Sequence, residues 1–278
     1  MKIIKHSGDI VDFDPEKLKT SLIKSGAGKA EVHSILHKIS SQIYEGISTK
    51  DIYKMAYRLL KKTARPNAAR YNLRNAIQLL GPEGFFFEKY IARVFEAEGY
   101  ETKTSMTLIG KCVSHEVDAF IKKGNVIEMI ECKFHQRREA VSDVKVPMYI
   151  LSRFNDLKVN KHSIYGKSDT ISKCWIATNN RFTSDAIDFA LCYGIVCLGW
   201  DYPPNNNLRT KNDENCLYPV TCLTSLTVAE KEKLLILNII LAKDLLENSQ
   251  SLTKIGLSEN KLKTTLIEVA ELCKTFDS

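Results

Sequence analysis

The stretch from Glu116 to Phe134 constrains the fold most. Glu116-Val117-Asp118-Ala119-Phe120-Ile121 alternates as a strand does, and Lys123-Gly124-Asn125 reads as a hairpin turn. Val126 to Phe134 is a largely apolar run interrupted by Glu128, Glu131 and Lys133, the pattern of a central strand covered on both faces. Glu131 and Lys133 lie two apart, so they share a face. Seven residues separate Asp118 from Val126, and the turn among them lays the two strands side by side. Two carboxylates and a lysine then converge. Charges inside an apolar run are expensive to bury without a use. The set suits a divalent-metal phosphodiesterase. Hard Mg2+ takes oxygen ligands, here Asp118 and Glu131. A bound water of lowered pKa serves as nucleophile, and Lys133 positions that water or meets transition-state charge. The alternative is an exposed acidic pair neutralised by Lys133.

The flanking segments extend this strand pair into a larger unit. Phe85 to Gly99 is an amphipathic helix with Phe87, Ile91, Val94 and Phe95 inward, and Tyr100 to Leu108 is a strand. A helix is expected near Val144–Phe154, then a strand at Cys174–Thr178, a helix at Ser184–Tyr193 and a strand at Ile195–Leu198. Helix, meander and β-α-β together predict an α/β fold, α+β overall: a mixed sheet flanked by helices on both faces.

Before it, Ile3-Ile4-Lys5 and Ile10–Phe13 flank a Ser7-Gly8-Asp9 turn and form a small β-hairpin. Asp14 caps a helix that opens with Pro15. Further helices are expected from Ala30 to Tyr44, from Ser48 or Thr49 through Leu60, and from Pro66 to about Leu80. Gly81-Pro82-Glu83-Gly84 is the strongest break, giving domains at 1–83 and 84–202. After a loop at Pro203–Asn207, a small helical tail at 224–278 holds helices at Val228–Leu237, Ala242–Ser249 and Leu262–Leu272.

Charge narrows the partners. The 278 residues carry a net charge of +7, concentrated in two blocks. Residues 1–83 hold 15 basic and 8 acidic side chains, and residues 119–173 hold 11 and 6. Basic blocks suit phosphate partners, nucleotide or nucleic acid, or else form a solvated lysine surface. The longest apolar run, Leu234–Ala242, is broken by Asn238 and falls short of the ~20 residues of a membrane span. The N-terminus has no apolar signal core. The eight cysteines show no CxxC and no zinc spacing, as expected of a cytoplasmic chain with reduced thiols. No Walker A loop occurs; Gly26-Ala27-Gly28-Lys29 is too short for one. His115 and His135 read as surface histidines, or else as phosphate contacts or proton shuttles, and Arg137 and Arg138 as candidates for DNA-backbone contacts or as a solvated pair.

Gly84-Phe85-Phe86-Phe87-Glu88, Glu116-Val117-Asp118 and Glu131-Cys132-Lys133, with Thr178–Thr183, Ala186, Ala190 and Gly194-Ile195 after them, resemble the Mrr-like restriction endonuclease branch of the PD-(D/E)XK nucleases. The resemblance implies a restriction-endonuclease-like fold over about 84–200. It implies Asp118, Glu131 and the Cys132 carbonyl as metal ligands, Lys133 as the catalytic lysine, and Glu88 as an added acidic residue of the catalytic set.

Ile4-Lys5-His6-Ser7-Gly8, Val11–Leu18, Ile47–Ile52 and Ala68-Ala69-Arg70-Tyr71 resemble the ATP-cone, a regulatory nucleotide domain. By match, Lys5 and Lys17 would hold phosphates, with His6 beside them. Val11 to Lys17, Asp14 included, would wrap the nucleotide, and Thr49 and Tyr53 would approach the base. A small helical adaptor with a basic face is the other reading. Leu226–Lys231 and Leu252–Leu257 resemble helix-hairpin-helix modules; a packing or dimerisation cap is the alternative.

The expectation is a Mg2+-dependent DNA endonuclease of restriction or defence type, regulated by ATP or dATP as effector, cytoplasmic, homo-oligomeric and without a membrane. Two rivals stand beside it: a nucleotide-sensing DNA-binding regulator with an inactive nuclease core, and a structure-specific repair nuclease.

Overall fold

A computed structural model describes residues 1–5, 7–81 and 84–274. His6, and the Pro82 and Glu83 of the expected domain break, lie outside the described residues. The chain forms two compact units: residues 1–76 with 218–278, and residues 77–217.

In the first unit, β1 (Lys2–Ile4) and β2 (Ile10–Asp12) form the antiparallel hairpin, with Ile3 opposite Val11. α1 (Pro15–Lys24) begins where Asp14 Oδ1 accepts the Glu16 amide at 3.0 Å. α2 (Lys29–Ser40) stops four residues before its expected end, because the carbonyls of His37 and Ile39 are already closed by Ser41 and the chain turns. α3 (Thr49–Thr63) is capped by the Ser48 hydroxyl on the Asp51 amide at 3.0 Å. The single helix expected to Leu80 is two, α4 (Arg65–Tyr71) and α5 (Leu73–Gln78), parted at Asn72. Leu22, Ile39, Ala56, Leu60 and Ala68, none with exposed surface, form the core of this part.

The second unit opens with α6 (Phe85–Ala97). Its sheet runs β3 (Glu101–Ile109), β4 (Ser114–Lys123), β5 (Val126–Lys133), then β7 (Ile171–Thr178) and β9 (Val196–Leu198); the first three are antiparallel neighbours and the last two pair in parallel. Between them come β6 (Val141–Ser142), α7 (Lys145–Leu157), β8 (Arg181–Phe182) and α8 (Ser184–Cys192), with β6 and β8 paired to each other. α9 (Leu208–Asn215), absent from the sequence reading, ends the unit.

Successive residues of β7 show that both faces are covered. Trp175 meets Phe95 of α6 edge-on at 5.0 Å, while Ile176 joins Phe120, Met129, Ile150 and Ala186 in the core beneath α7 and α8. Burying each such side chain contributes roughly 1.5–3 kcal/mol. The charged interruption at Glu128, 7% exposed, is met by the Trp175 indole N–H, which donates to its carboxylate. The α/β fold, a mixed sheet flanked by helices and preceded by a hairpin-bearing helical segment, is therefore the observed one.

Residues 218–274 return to the first unit. Here α10 (Val228–Ile236), α11 (Asp244–Glu247), α12 (Gln250–Lys254) and α13 (Glu259–Leu272) replace the three expected helices. Asn238 (φ 62°) and Gly256 (φ 87°) both take left-handed backbone after a helix. Each turn closes alike: Ile239 donates to Leu234 O at 2.9 Å and Leu257 to Leu252 O at 3.2 Å. α13 packs on α4, where Arg70 Nη2 donates to the carbonyls of Glu271, Leu272 and Lys274 at 3.2, 2.8 and 3.0 Å. Cys112, Cys132, Cys174, Cys192, Cys197 and Cys222 form no disulfide, whereas Cys216 and Cys273 are disulfide-bonded, which corrects the expectation of a wholly reduced chain at those two. Among the described residues no helix is long and apolar enough to cross a membrane.

Candidate active site

The pairing of β4 with β5 stops at Ala119 opposite Ile130. One step further, the Asp118 carboxylate takes the Cys132 amide, Oδ2 to N, at 2.6 Å. The side chain thus stands in for a ladder bond and holds the strands as they part. β5 stays bonded to β7 through this point, with Glu131 opposite Ile176 and Lys133 opposite Thr178. Antiparallel register puts Asp118 on the same face as Glu131. Lys133 follows on that face and reaches solvent.

Glu88 comes from the first turn of α6. Two glycines precede it, one against the Phe134 ring and one in left-handed backbone. A Cβ on Gly81 would collide with the Phe134 ring, and Gly84 (φ 90°) lets Glu88 Oε1 lie 3.8 Å from where a Cβ would stand.

These carboxylates disturb one another. Burial pushes Glu131 up to about 8, aided by the charges of Asp118 and Glu88 and opposed by Arg153. Burial pushes Glu88 up to about 7, with Asp118 and Glu116 adding to it. Asp118 is also raised by burial, against the pull of the Cys132 amide and Arg153. Crowding and burial of this kind raise the cost of negative charge on each carboxyl.

A divalent ion fits the donors present. Glu131 Oε1 is buried and accepts no well-aligned hydrogen bond, although Arg153 Nη2 stands 3.1 Å away as an ion-pair partner. Among the described residues no three His, Cys, Asp or Glu side chains form a metal cage by themselves. Two carboxylates with a backbone carbonyl, completed by water and phosphate oxygens, is the sparse oxygen set that Mg2+ accepts.

Arg153 is the residue that sequence reading missed. α7 buries Pro147, Ile150 and Leu157 on one stripe, and position 153 continues it at the i+3 step, so a cation on an apolar stripe was the available signal. Its guanidinium also donates to the Glu116 carbonyl and, at 3.3 Å, to the Tyr149 hydroxyl.

The histidines are not free surface groups. His115 Nε2 lies 2.8 Å from Asp156 Oδ2, and Asp156 also accepts the amides of Cys112 and Val113 at 2.8 and 3.3 Å. These partners hold the Asp156 carboxyl down at about 2, the His115 contact first among them. His135 Nε2 lies 2.9 Å from Ser142 Oγ, and burial lowers its pKa. Asn179 clamps the His135 backbone on both sides, at 2.8 Å to the amide and 2.8 Å to the carbonyl. Asn180 Nδ2 donates to the carbonyls of Arg137 and Ala140 at 2.7 and 2.9 Å, so exposed Arg137 and Arg138 ride on a fixed loop after Lys133.

In the first unit the hairpin is stitched to the start of α3. Ile4 bridges Ser48 and donates to Ile47 O at 3.0 Å, and Gly46 donates to Lys2 O at 2.9 Å. This sets Lys5 beside the turn that carries Thr49. Lys17 Nζ stands 3.6 Å from Asp14 Oδ2 at the start of α1, and Val11 lies within β2. Tyr53 is already engaged: its ring stacks on Tyr71 at 4.8 Å and its hydroxyl donates to Asn72 Oδ1 at 2.8 Å.

Three segments of the chain match known families. Residues 1–75 match the ATP cone domain, residues 81–196 the restriction endonuclease family, and residues 218–273 the AF1548-like C-terminal family. The chain thus carries an ATP cone followed by a restriction-endonuclease-like domain. An uncharacterized protein of Archaeoglobus fulgidus is 31% identical over 183 residues, which is 66% of this chain and 99% of that protein. The crystal structure of AF1548, a protein of unknown function, is similar with a TM-score of 0.56 at 30% identity, covering 68% of this chain and 97% of that one. By matches that span nearly the whole of these relatives, the chain belongs to the AF1548-like family.

Proposed function

We propose that the protein is a Mg2+-dependent DNA endonuclease whose activity is set by ATP or dATP binding to its cone. The observation that carries the reading is the convergence of Asp118, Glu131 and Glu88 at the fork of β4 and β5, with Lys133 on the same face. Three functional segments follow: the cone over 1–83, the nuclease over 84–202 and the helical region over 224–278.

Asp118, Glu131 and the Cys132 carbonyl would hold the ion, which supplies a water of lowered pKa and a positive charge for phosphate oxygens. Asp118 is oriented for this by the Cys132 amide. Lys133 contributes a fixed positive charge near the phosphate, where charge develops during attack. Glu88, whose carboxyl sits up at about 7, can carry a proton near neutral pH. Arg137 and Arg138 offer contacts to the DNA backbone, which position the duplex without reading sequence.

In the cone, Lys5 and Lys17, with His6 nearby in sequence, would meet a triphosphate over the start of α1, whose dipole favours an anion. Val11 and Asp14 would flank it, with Thr49 and Tyr53 toward the base. No hydrolytic motif accompanies these residues, so nucleotide acts as effector. Coupling of this kind is typically ~1–3 kcal/mol and requires different affinities for two states of the protein. The proposed setting is a cytoplasmic homo-oligomer in restriction or defence.

Nicking of supercoiled plasmid by the full chain tests the reading, with Mg2+ or EDTA and with or without ATP or dATP. Cleavage with Mg2+ alone and a changed rate on adding nucleotide are expected. No cleavage under any of these conditions contradicts it.

A further inference from the structure

We propose that Arg153 is the built-in counter-cation of the nuclease site: it holds the Glu131 carboxylate until a divalent cation takes that carboxylate over. The proposal rests on the reading of Asp118 and Glu131 as a metal site.

Three observations carry it. First, the pair is close and dry: Nη2 to Oε1 is 3.1 Å, with the two side chains 17% and 9% exposed. Second, the pair is poorly aligned for a hydrogen bond. Glu131 Oε1 accepts no aligned hydrogen bond, and Arg153 Nε is likewise buried without one. A buried ion pair holds firmly only where hydrogen bonds complete it, so this one compensates charge without fixing geometry. Third, the guanidinium has anchors of its own. It donates to the Glu116 carbonyl on β4 and to the Tyr149 hydroxyl one turn back on α7. It can therefore lose the carboxylate and stay in place.

The charged groups around Glu131 are Asp118 on β4, Glu88 on α6, Lys133 on its own strand and Arg153 on α7. Arg153 is the cation in contact with the carboxylate. An entering ion must compete with it, and the competition sets a threshold for cation binding. Arg153 is thus a positioning residue, acting through Glu131.

The test is Ca2+ binding to the full chain by calorimetry at about pH 9, where Glu131 is ionised, alongside melting temperature in EDTA and in saturating Ca2+. Wild type, Arg153→Met, Arg153→Lys and Asp118→Asn are compared. Arg153→Met is expected to bind Ca2+ about fivefold tighter than wild type or better. It should melt lower than wild type in EDTA and recover in Ca2+. Arg153→Lys, which keeps the charge without the fork, should fall between. Should the Met variant fail to fold, Arg153→Gln, which keeps a donor for the Glu116 carbonyl, makes the same comparison. Unchanged or weaker Ca2+ binding on loss of the guanidinium overturns the exchange. Wild type that binds no Ca2+, or Asp118→Asn that binds it equally, overturns the metal site beneath it instead.

Discussion

The Asp118 carboxylate accepts the Cys132 backbone amide at 2.6 Å, one step past the last paired residues of β4 and β5. A side chain is therefore part of the sheet where the sheet opens. Asn at this position keeps the acceptor and sheds a buried charge. We expect Asp118→Asn to melt at or above wild type in EDTA at pH 8 while losing cleavage. Scanning calorimetry checks the first part; a variant that melts well below wild type would show that the charge itself holds the strands.

The local logic of this site was open to reading from sequence. Alternation put Glu131 and Lys133 on one face, and the Gly124-Asn125 turn put Asp118 beside them, as the register has it. Capping was equally plain at Asp14 and Ser48, where short polar side chains precede a helical stripe. What escaped depends on contacts far apart in the chain. Arg153 meets Glu131 across 22 positions, and nothing local to α7 specifies that partner. Arg70 meets the end of α13 some 200 residues away, so the return of residues 218–274 to the first unit carries no periodic signal. Asn72 parts α4 from α5 without a Gly or Pro to announce it.

The raised carboxyls predict how stability varies with pH. Glu88 at about 7 and Glu131 at about 8 both lie above the ordinary 4.5, so the folded state binds more protons than the unfolded one between these values. Stability in EDTA should therefore fall as pH rises from about 5 to about 8. Asp156, held down at about 2, acts only at lower pH, where its contribution is lost on acidification. Denaturant melts at pH 5.5 and 8.5 measure the slope, and Glu88→Gln should flatten it. A slope of opposite sign in EDTA contradicts the crowding of these groups.

Arg70 closes three carbonyls at the end of α13. Arg70→Ala should destabilise the first unit by roughly 1.5–3 kcal/mol, the range for hydrogen bonds to a charged donor. Chemical denaturation followed by far-UV circular dichroism would show it as a lowered midpoint; an unchanged midpoint would mean the carbonyls are served equally well by water.

For the cone, Lys17→Ala should abolish ATP or dATP binding to the full chain in calorimetry, since the lysine stands over the start of α1. A non-hydrolysable analogue should shift the nicking rate and the sedimentation profile as ATP does. Response to hydrolysable ATP alone would make the cone a motor and contradict the effector role.

The central claim is that phosphodiester cleavage runs through the cluster at the β4–β5 fork. Plasmid nicking by Asp118→Ala and Lys133→Ala, measured beside DNA binding by the same preparations, tests it most directly. Phosphate contacts supply most of the affinity in protein–DNA complexes, so both variants should bind DNA within a few-fold of wild type and fail to nick it. Nicking retained by Asp118→Ala at the wild-type rate would contradict the account.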